Sequence, residues 1–198
     1  MTPNSVTHVI DVALKEWAVV CDLMLSGDLS LLLRKGGIHE SGGPGVFELE
    51  YPRFVLYPSF EHQRAEMLKP SFRDRNDPGH TESDSIDLRS AGEAVKVWQV
   101  PSRQAFNQLD DLHCWSAEHI DMRFNYKPER PLYLIAVRVY RLAKSKRIMR
   151  RPEYEGCKSW IVLHPEDVVD DHGYIPVMSD SVFKSVLDRV NQAFSDPV

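Results

Sequence analysis

Leu132-Tyr-Leu-Ile-Ala-Val137 is a continuously apolar run that stops at Arg138. Such a run is typical of a strand that is covered on both faces, so it predicts a central strand that fades into the basic residues after it. Residues 159–163 predict another strand. Beyond Ser179 and Asp180, helical spacing predicts an amphipathic C-terminal helix with the inward residues Val182, Phe183, Val186, Leu187, Val190 and Phe194.

On the N-terminal side of the run, residues 94–100 predict a strand. One helix follows behind Ser102 and another begins near Ser116, and serine is a favourable N-cap residue. In the second helix, one face is predicted to be buried, formed by Ala117, Ile120 and Phe124.

The first third of the chain predicts a helix followed by a β-hairpin. Helical spacing predicts a short opening helix through Val6, Val9, Ile10, Ala13 and Leu14. Alternating apolar residues then predict a half-buried strand through Trp17, Val19, Cys21, Leu23 and Leu25. Ser26-Gly27-Asp28 is a turn signal, and residues 29–33 predict the second strand of the hairpin. Two further strands are predicted at 47–51 and 54–57.

The predicted strands outnumber the helices and come in hairpin-like pairs. This order favours an α+β fold with a mostly antiparallel sheet, open or partly closed, and flanking helices in a single domain over 1–198. Residues 70–92 are rich in Ser, Asp, Arg and Pro, which predicts a flexible loop, either disordered or a functional lid.

Composition and cysteine usage predict a cytoplasmic protein. The first apolar run stops at Asp22 after five residues, whereas a membrane-spanning helix needs about 20, so no membrane partner is expected. Cys21, Cys114 and Cys157 are odd in number and widely spaced. Neither a zinc site nor a disulfide framework is therefore expected. Instead, the cysteines indicate a reducing compartment.

The charge is unevenly distributed along the chain. The net charge is −5, but residues 123–160 contain eleven Lys or Arg and three acids, a local balance of +8. This stretch predicts either a solvated loop or a phosphate-binding surface formed by Lys146, Arg147, Arg150 and Arg151, with Lys158 and Trp160 beyond them.

Two polar clusters follow predicted strands, where scaffolds often present functional side chains. Arg34 and Lys35 precede two glycines that let a ligand approach the backbone. Glu61-His62-Gln63 combines an acid, an imidazole and an amide; either His62 is an acid–base group, or Glu61 and Gln63 cap a following helix. We expect the two strands to be neighbours whose ends share one site.

A third cluster follows from helical geometry. In the helix after Ser116, His119 and Arg123 lie on the face of Trp115, opposite the predicted core. This stripe predicts a surface that stacks on a base or binds a phosphate; for Trp115, packing on Ile120 is the alternative.

Motifs with known chemistry are incomplete. Leu31-Leu-Leu-Arg-Lys-Gly-Gly37 resembles the opening of Nudix hydrolases, but their magnesium-binding glutamate helix is missing. Gly42-Gly-Pro-Gly45 lacks the Lys and Ser or Thr of a P-loop. Since no acid-x-Lys nuclease motif lies in a predicted strand either, we predict no metal site and assign no cofactor.

Several segments in order resemble the bacterial family called domain of unknown function 1802. They are Ala13-Leu-Lys-Glu-Trp-Ala18, Leu31-Leu-Leu-Arg-Lys-Gly-Gly-Ile-His-Glu40, Phe54-Val-Leu-Tyr-Pro-Ser-Phe-Glu-His-Gln63, Leu68-Lys-Pro70, His119 with Arg123-Phe124 and Lys127-Pro128, Leu132 through Leu142, and Gly156-Cys-Lys-Ser-Trp160. The resemblance implies a small bacterial cytoplasmic protein with, for some members, an association with restriction–modification. It assigns no residue a role.

Three functions remain open. The leading hypothesis is a nucleic-acid- or nucleotide-linked domain, accessory to DNA restriction or defence, with phosphate contacts from Arg34, Lys35, Arg123 and residues 144–151. The second is an enzyme on a small anionic substrate, in which Glu61, His62 and Lys69 share a pocket with the Arg34 cluster. The third is a protein-interaction module.

Overall fold

The computed structural model describes residues 9–35, 51–75, 83–156 and 158–195. Its strands are β1 (Val9–Ile10), β2 (Val12–Trp17), β3 (Leu31–Arg34), β4 (Arg53–Ser59), β5 (Ser85–Gln99), β6 (Tyr133–Met149), β7 (Trp160–Val162), β8 (Val169–Asp170) and β9 (Ile175–Pro176). Its α-helices are α1 (Ala18–Ser26), α2 (Pro70–Arg73), α3 (Arg103–Asn107), α4 (Ala117–Asn125) and α5 (Asp180–Ser195).

The main sheet confirms the predicted α+β class. Its strand order is β3-β6-β5-β4-β2-β7, and β9 also pairs with β6. All of these pairs are antiparallel except β2–β4. The terminal strands β3 and β7 do not pair with each other, so the sheet is open, while β1 and β8 form a separate two-stranded sheet.

The two long strands β5 and β6 form the centre of the sheet. They pair from Ser85 opposite Met149 to Gln99 opposite Tyr133, with two shifts of register. Such irregularities bend and twist a strand pair. Residues 133–137 of the apolar run are the buried first part of β6, and the strand continues through the basic residues that follow as far as Met149.

Gly92 allows β4, β5 and β6 to pack closely. A Cβ atom at this position would lie 2.7 Å from Cγ1 of Val137 and 2.8 Å from Cε2 of Phe54. Both neighbours belong to the main hydrophobic core. The absence of a side chain here is therefore a packing requirement.

The N-terminal third differs from its prediction. The predicted opening helix is replaced by β1 and β2, and the first strand of the predicted hairpin is mostly the helix α1. Seven of the nine residues of α1 are buried, and the polar face of the helix is reduced to Asp22 and Ser26. A buried segment of this kind fits helical and strand spacing equally well.

The predicted loop at 70–92 is not a continuous loop. It contains α2, and β5 starts at Ser85. Residues 76–82 lie outside the described residues, as do most of the strand predicted at 47–51 and Cys157.

The later helices begin where they were predicted to begin, but Ala117 and Val182, which were predicted to face the core, are exposed. The hydroxyl oxygen of Ser102 accepts a hydrogen bond from the Ala105 N–H at 3.0 Å, and that of Ser116 accepts one from the His119 N–H at 3.2 Å. The C-terminal helix is α5. Across the described ranges, we find no helix with the length and apolarity that crossing a membrane requires.

Candidate functional site

An open cavity of about 210 Å³ lies where β2, β3 and β4 end. We call it the Arg34 cavity. It brings together Arg34 from the first predicted cluster and Glu61 and His62 from the second. The strands β3 and β4 are not neighbours, contrary to expectation, because β3 pairs with β6 and β4 with β2 and β5.

Arg34 connects the end of β3 to the end of β2. Its guanidinium donates a hydrogen bond to the Lys15 carbonyl at 3.0 Å and lies 2.7 Å from the Glu16 carboxylate. Both ionic side chains are about one-eighth exposed. This pair therefore holds the two strand ends together and places Arg34 at the cavity wall.

Three further cations line the same cavity: Lys15, Arg123 and Lys158. The buried Lys15 ammonium donates to the Gly156 carbonyl at 3.0 Å and lies 3.8 Å from the Glu61 carboxylate. Arg123 donates to the Leu33 carbonyl at 3.2 Å. Burial, and then the nearby Arg34, lowers the pKa of Arg123.

Two guanidinium nitrogens in this wall have unused hydrogen-bonding capacity. In the described part of the chain, the buried Nε atoms of Arg34 and Arg123 have no hydrogen-bond partner. An unsatisfied buried donor costs about 1–3 kcal/mol. An acceptor that entered the cavity and reached these donors would recover that cost.

Aromatic rings form another wall. Trp115 and His119 stack with their ring centroids 4.5 Å apart, and Trp17 meets Trp115 edge-on at 5.2 Å. The stripe predicted from helical geometry thus faces the cavity, although His119 is itself buried. Burial, and then the charge of Arg123, lowers the pKa of His119 to about 4, so its ring is neutral at neutral pH.

Glu61 and His62 form the exposed rim just after β4. The Glu61 N–H donates to the Ser59 hydroxyl at 3.3 Å, and His62 has a left-handed backbone with φ of 59°. Left-handed non-glycine residues are uncommon, though histidine is among the more tolerant types. The rim therefore combines a carboxylate and an imidazole at the mouth of a cationic cavity.

Three predicted site residues instead hold the scaffold. The Gln63 amide oxygen accepts from the Val19 N–H at 3.0 Å in the first turn of α1. Lys35 donates to the Arg123 and Phe124 carbonyls at 2.8 and 2.9 Å, at the end of α4. Lys69 donates to the Asp110 and His113 carbonyls.

Three cations of residues 144–151, which we call the basic segment, are bound by neighbouring groups. Lys146 donates to the Val168 carbonyl at 2.7 Å. Arg147 pairs with Asp87 through two bonds of 2.8 and 3.0 Å. Arg151 pairs with Glu166 and, at 2.8 Å, with Asp167.

The remaining predicted residues lie in three different places. Lys158 lines the Arg34 cavity, and Arg150 lines an adjacent smaller one. Trp160 packs edge-on against Tyr51 and Phe54, with centroid distances of 5.3 Å to each. Trp160 therefore belongs to the packing of the sheet edge.

Lys15, Glu16 and Trp17 were not predicted as site residues. Lys15 and Glu16 fell between a helix predicted through Leu14 and a strand predicted from Trp17. One signal was available: these two charged residues interrupt an otherwise apolar stretch from Val12 to Cys21. Charged residues inside a buried strand usually require partners, and here Arg34 and Glu61 provide them.

One group with metal-ligand spacing lies elsewhere in the described residues. Asp170 ends β8, Asp171 and His172 follow it, and Asp171 pairs with Arg53. None of the three lines the Arg34 cavity.

Comparison with known proteins identifies the family of the chain and a few solved structures that are distantly similar to it. No curated protein matches the chain. The crystal structure of ASCH from Zymomonas mobilis has 10% sequence identity and a TM-score of 0.46, covering 79% of this chain and 89% of its own. A point mutant of that protein gives a TM-score of 0.48 at the same identity and coverage. The sequence profile described as Domain of unknown function (DUF1802) matches residues 13–189, and the chain belongs to this family.

Proposed function

We propose that the Arg34 cavity binds one nucleotide unit, either free or at a position in a single strand. Arg34, Arg123 and Lys158 would bind the phosphate, and Trp17 and Trp115 would contact the base. One observation carries the proposal: two guanidinium groups with unused buried donors share a cavity with an aromatic wall. Phosphate and base faces require this combination of donors and rings.

The charge of the cavity supports an anionic ligand. Its described lining includes four Lys or Arg side chains and two carboxylates, a balance of +2 in a chain of net charge −5. His119 adds no charge at neutral pH because its pKa is about 4. A phosphate monoester carries a charge of about −1.5 to −2 at pH 7, which this balance matches.

The size of the cavity limits how much of a ligand it encloses. Pockets for drug-sized ligands have volumes of about 300–1,000 Å³, whereas this one has about 210 Å³. The cavity is therefore suited to a single nucleotide unit whose sugar lies near the opening, and a dinucleotide would extend beyond it.

Calorimetric titration with nucleoside monophosphates tests this proposal. Arg123→Met should weaken binding about ten- to hundredfold, because a charged hydrogen bond is lost. Lys158→Ala, which removes a rim charge and leaves the wall intact, should weaken it up to about fivefold. Lys184→Ala on the exposed side of α5 is the control and should bind as the wild type does. Absence of nucleotide binding to the wild type would refute the proposal.

Glu61 and His62 support a second candidate function, catalysis on a small phosphorylated substrate. The supporting observation is that both line the cationic cavity and that His62 has an uncommon backbone conformation. In this function His62 transfers a proton and Glu61 orients it. His62→Ala should then abolish hydrolysis of a bound nucleotide while leaving its dissociation constant within about twofold. Unchanged turnover by this variant would rule out the assignment.

A further inference from the structure

A second, smaller cavity adjoins the Arg34 cavity. Its volume is about 120 Å³, and Tyr57, Phe60, Arg150 and Tyr154 are among its lining residues. We call it the Arg150 cavity. Both cavities are lined by Lys15, Ser59 and Glu61. The two are thus adjacent compartments that share one wall.

The Arg150 cavity has donors suited to a phosphate. The buried Nε of Arg150 has no hydrogen-bond partner among the residues that the structure describes. The backbone N–H of Arg150 donates to the Asp84 carbonyl at 2.8 Å, which fixes the residue at the end of β6. Beside it, burial raises the pKa of the Tyr57 hydroxyl to about 12, so this group keeps its proton.

A third cavity continues the path on the other side. It has a volume of about 560 Å³ and shares Pro58, Phe60 and Ile86 with the Arg150 cavity. Its charged lining includes two arginines that are paired with aspartates: Arg89 with Asp22, and Arg147 with Asp87. The three compartments therefore lie side by side around the end of β4, and we call this row of compartments the β4 groove.

We infer that the Arg150 cavity is a second phosphate subsite and that the ligand of the β4 groove is a single-stranded nucleic acid. This inference rests on the proposed function of the Arg34 cavity. Guanidinium groups and aromatic rings recur in successive compartments, as in proteins that track a single strand. A recess with a volume of about 120 Å³ admits a phosphate or a sugar but is too small to hold a stacked base pair.

The subsite makes affinity depend on ligand length. A mononucleotide occupies the Arg34 cavity alone, whereas a strand of several nucleotides also reaches Arg150. Arg150→Met keeps the aliphatic stem and removes the guanidinium. It should weaken binding of a hexanucleotide about ten- to hundredfold, the effect of losing a charged hydrogen bond, and leave mononucleotide binding within about twofold.

The experiment is fluorescence anisotropy with labelled hexanucleotides of DNA and of RNA, together with competition by nucleoside monophosphates. The variants are Arg150→Met, Arg150→Lys and, as a matched control outside the three cavities, Arg130→Ala. Arg150→Lys should recover part of the hexanucleotide affinity. The salt dependence for Arg150→Met should be shallower by about 0.7 in the log–log slope, the value for one phosphate contact on a single strand. Circular dichroism melting verifies that each variant is folded.

The outcomes separate the two proposals. If the wild type binds mononucleotides and Arg150→Met binds hexanucleotides with unchanged affinity and salt slope, the second subsite is refuted and the Arg34 cavity stands. Equal loss of both ligands would show that the compartments are not separate subsites. Duplex binding as tight as single-strand binding would refute the inference that the ligand is a single strand. If the wild type binds neither ligand, both proposals fail.

Discussion

His113 and His119 are buried histidines that the fold keeps neutral. His113 stacks on Phe106 at 4.9 Å, and its side chain is 4% exposed. Burial, and then the charge of Lys69, lowers the pKa of His113 to about 4. The pKa of His119 is also about 4. An unfolded histidine has a pKa near 6.5, so between these values the unfolded chain binds protons that the folded chain does not.

The stability of the fold should therefore fall in mild acid. Above about pH 6.5 both histidines are neutral in the folded and the unfolded chain, and the unfolding free energy is unaffected. As the pH falls towards 4, the unfolding free energy decreases progressively, by about 2 kcal/mol per histidine at pH 5. We expect His113→Leu to reduce the loss of unfolding free energy between pH 8 and pH 5 by about this amount. Urea denaturation at the two pH values measures it, and a loss equal to that of the wild type would contradict the assignment.

Gly92 provides a second test at the scale of one residue. Because a Cβ atom would lie under 3.0 Å from Val137 and Phe54, Gly92→Ala must displace side chains of the main core. We expect a loss of about 1–3 kcal/mol in unfolding free energy, typical of overpacking. Thermal denaturation measures it. A melting temperature equal to that of the wild type would show that the core adapts at this position.

Helix α1 depends on a residue distant in sequence. Its N-cap residue, Trp17, makes no side-chain capping bond, and Gln63 accepts from the Val19 N–H instead. Since Gln63 also follows the turn that carries Glu61 and His62, the start of α1 and the rim of the Arg34 cavity are fixed by the same segment.

Removal of this cap should lower stability without direct loss of ligand contact. We expect Gln63→Ala to reduce the unfolding free energy by about 1 kcal/mol. Gln63→Glu keeps the acceptor and places a negative charge near a helix N-terminus, so it should be at least as stable as the wild type. Chemical denaturation compares the three proteins. If Gln63→Ala weakens mononucleotide binding more than tenfold at unchanged stability, Gln63 is a ligand contact after all.

At the scale of elements, the sequence was most informative where one face of a helix is exposed. The apolar face and polar remainder of α5 predicted that helix, and Ser102 and Ser116 predicted two helix starts. Helix α1 was missed because seven of its nine residues are buried, and so apolar a segment fits strand alternation as well as helical spacing.

The candidate site shows a different limit. Arg34, Glu61, His62, His119 and Arg123 were all chosen from local context, and all line one cavity. Their meeting depends on the strand order and on the contact of Arg34 with β2, which are long-range features. Lys35, Gln63 and Lys69 looked similar in sequence but bind backbone groups of neighbouring elements. Sequence context therefore selected polar residues without separating those that line the cavity from those that hold the scaffold together.

Over the whole molecule, residues 123–160, with their charge balance of +8, are connected to acidic residues of other segments. Arg151 connects them to the acidic residues after β7 by pairing with Asp167, whose carboxylate also accepts from the Tyr154 hydroxyl at 2.7 Å. Burial alone would raise the pKa of Asp167, but the bonds from Tyr154 and Arg151 hold it below its ordinary value.

This connection should make Arg151 important for stability. Arg151→Met leaves the buried Asp167 without its cation, so we expect a measurable loss of unfolding free energy and less than a twofold change in mononucleotide affinity. Denaturation and calorimetry on the same samples measure the two effects. A large loss of affinity at unchanged stability would locate ligand binding on the basic segment instead of in the Arg34 cavity.

The four tryptophans can report directly whether a nucleotide binds in the Arg34 cavity. Trp17 and Trp115 line this cavity, whereas the indole of Trp98 donates to Asn191 and Trp160 packs on the sheet edge. The measurement is the indole N–H region of a ¹⁵N-correlated NMR spectrum during titration with a nucleoside monophosphate. We expect the signals of Trp17 and Trp115 to shift with a common binding curve while those of Trp98 and Trp160 stay in place. Shifts confined to Trp98 or Trp160, or no shift at saturating nucleotide, would show that the nucleotide does not bind in the Arg34 cavity.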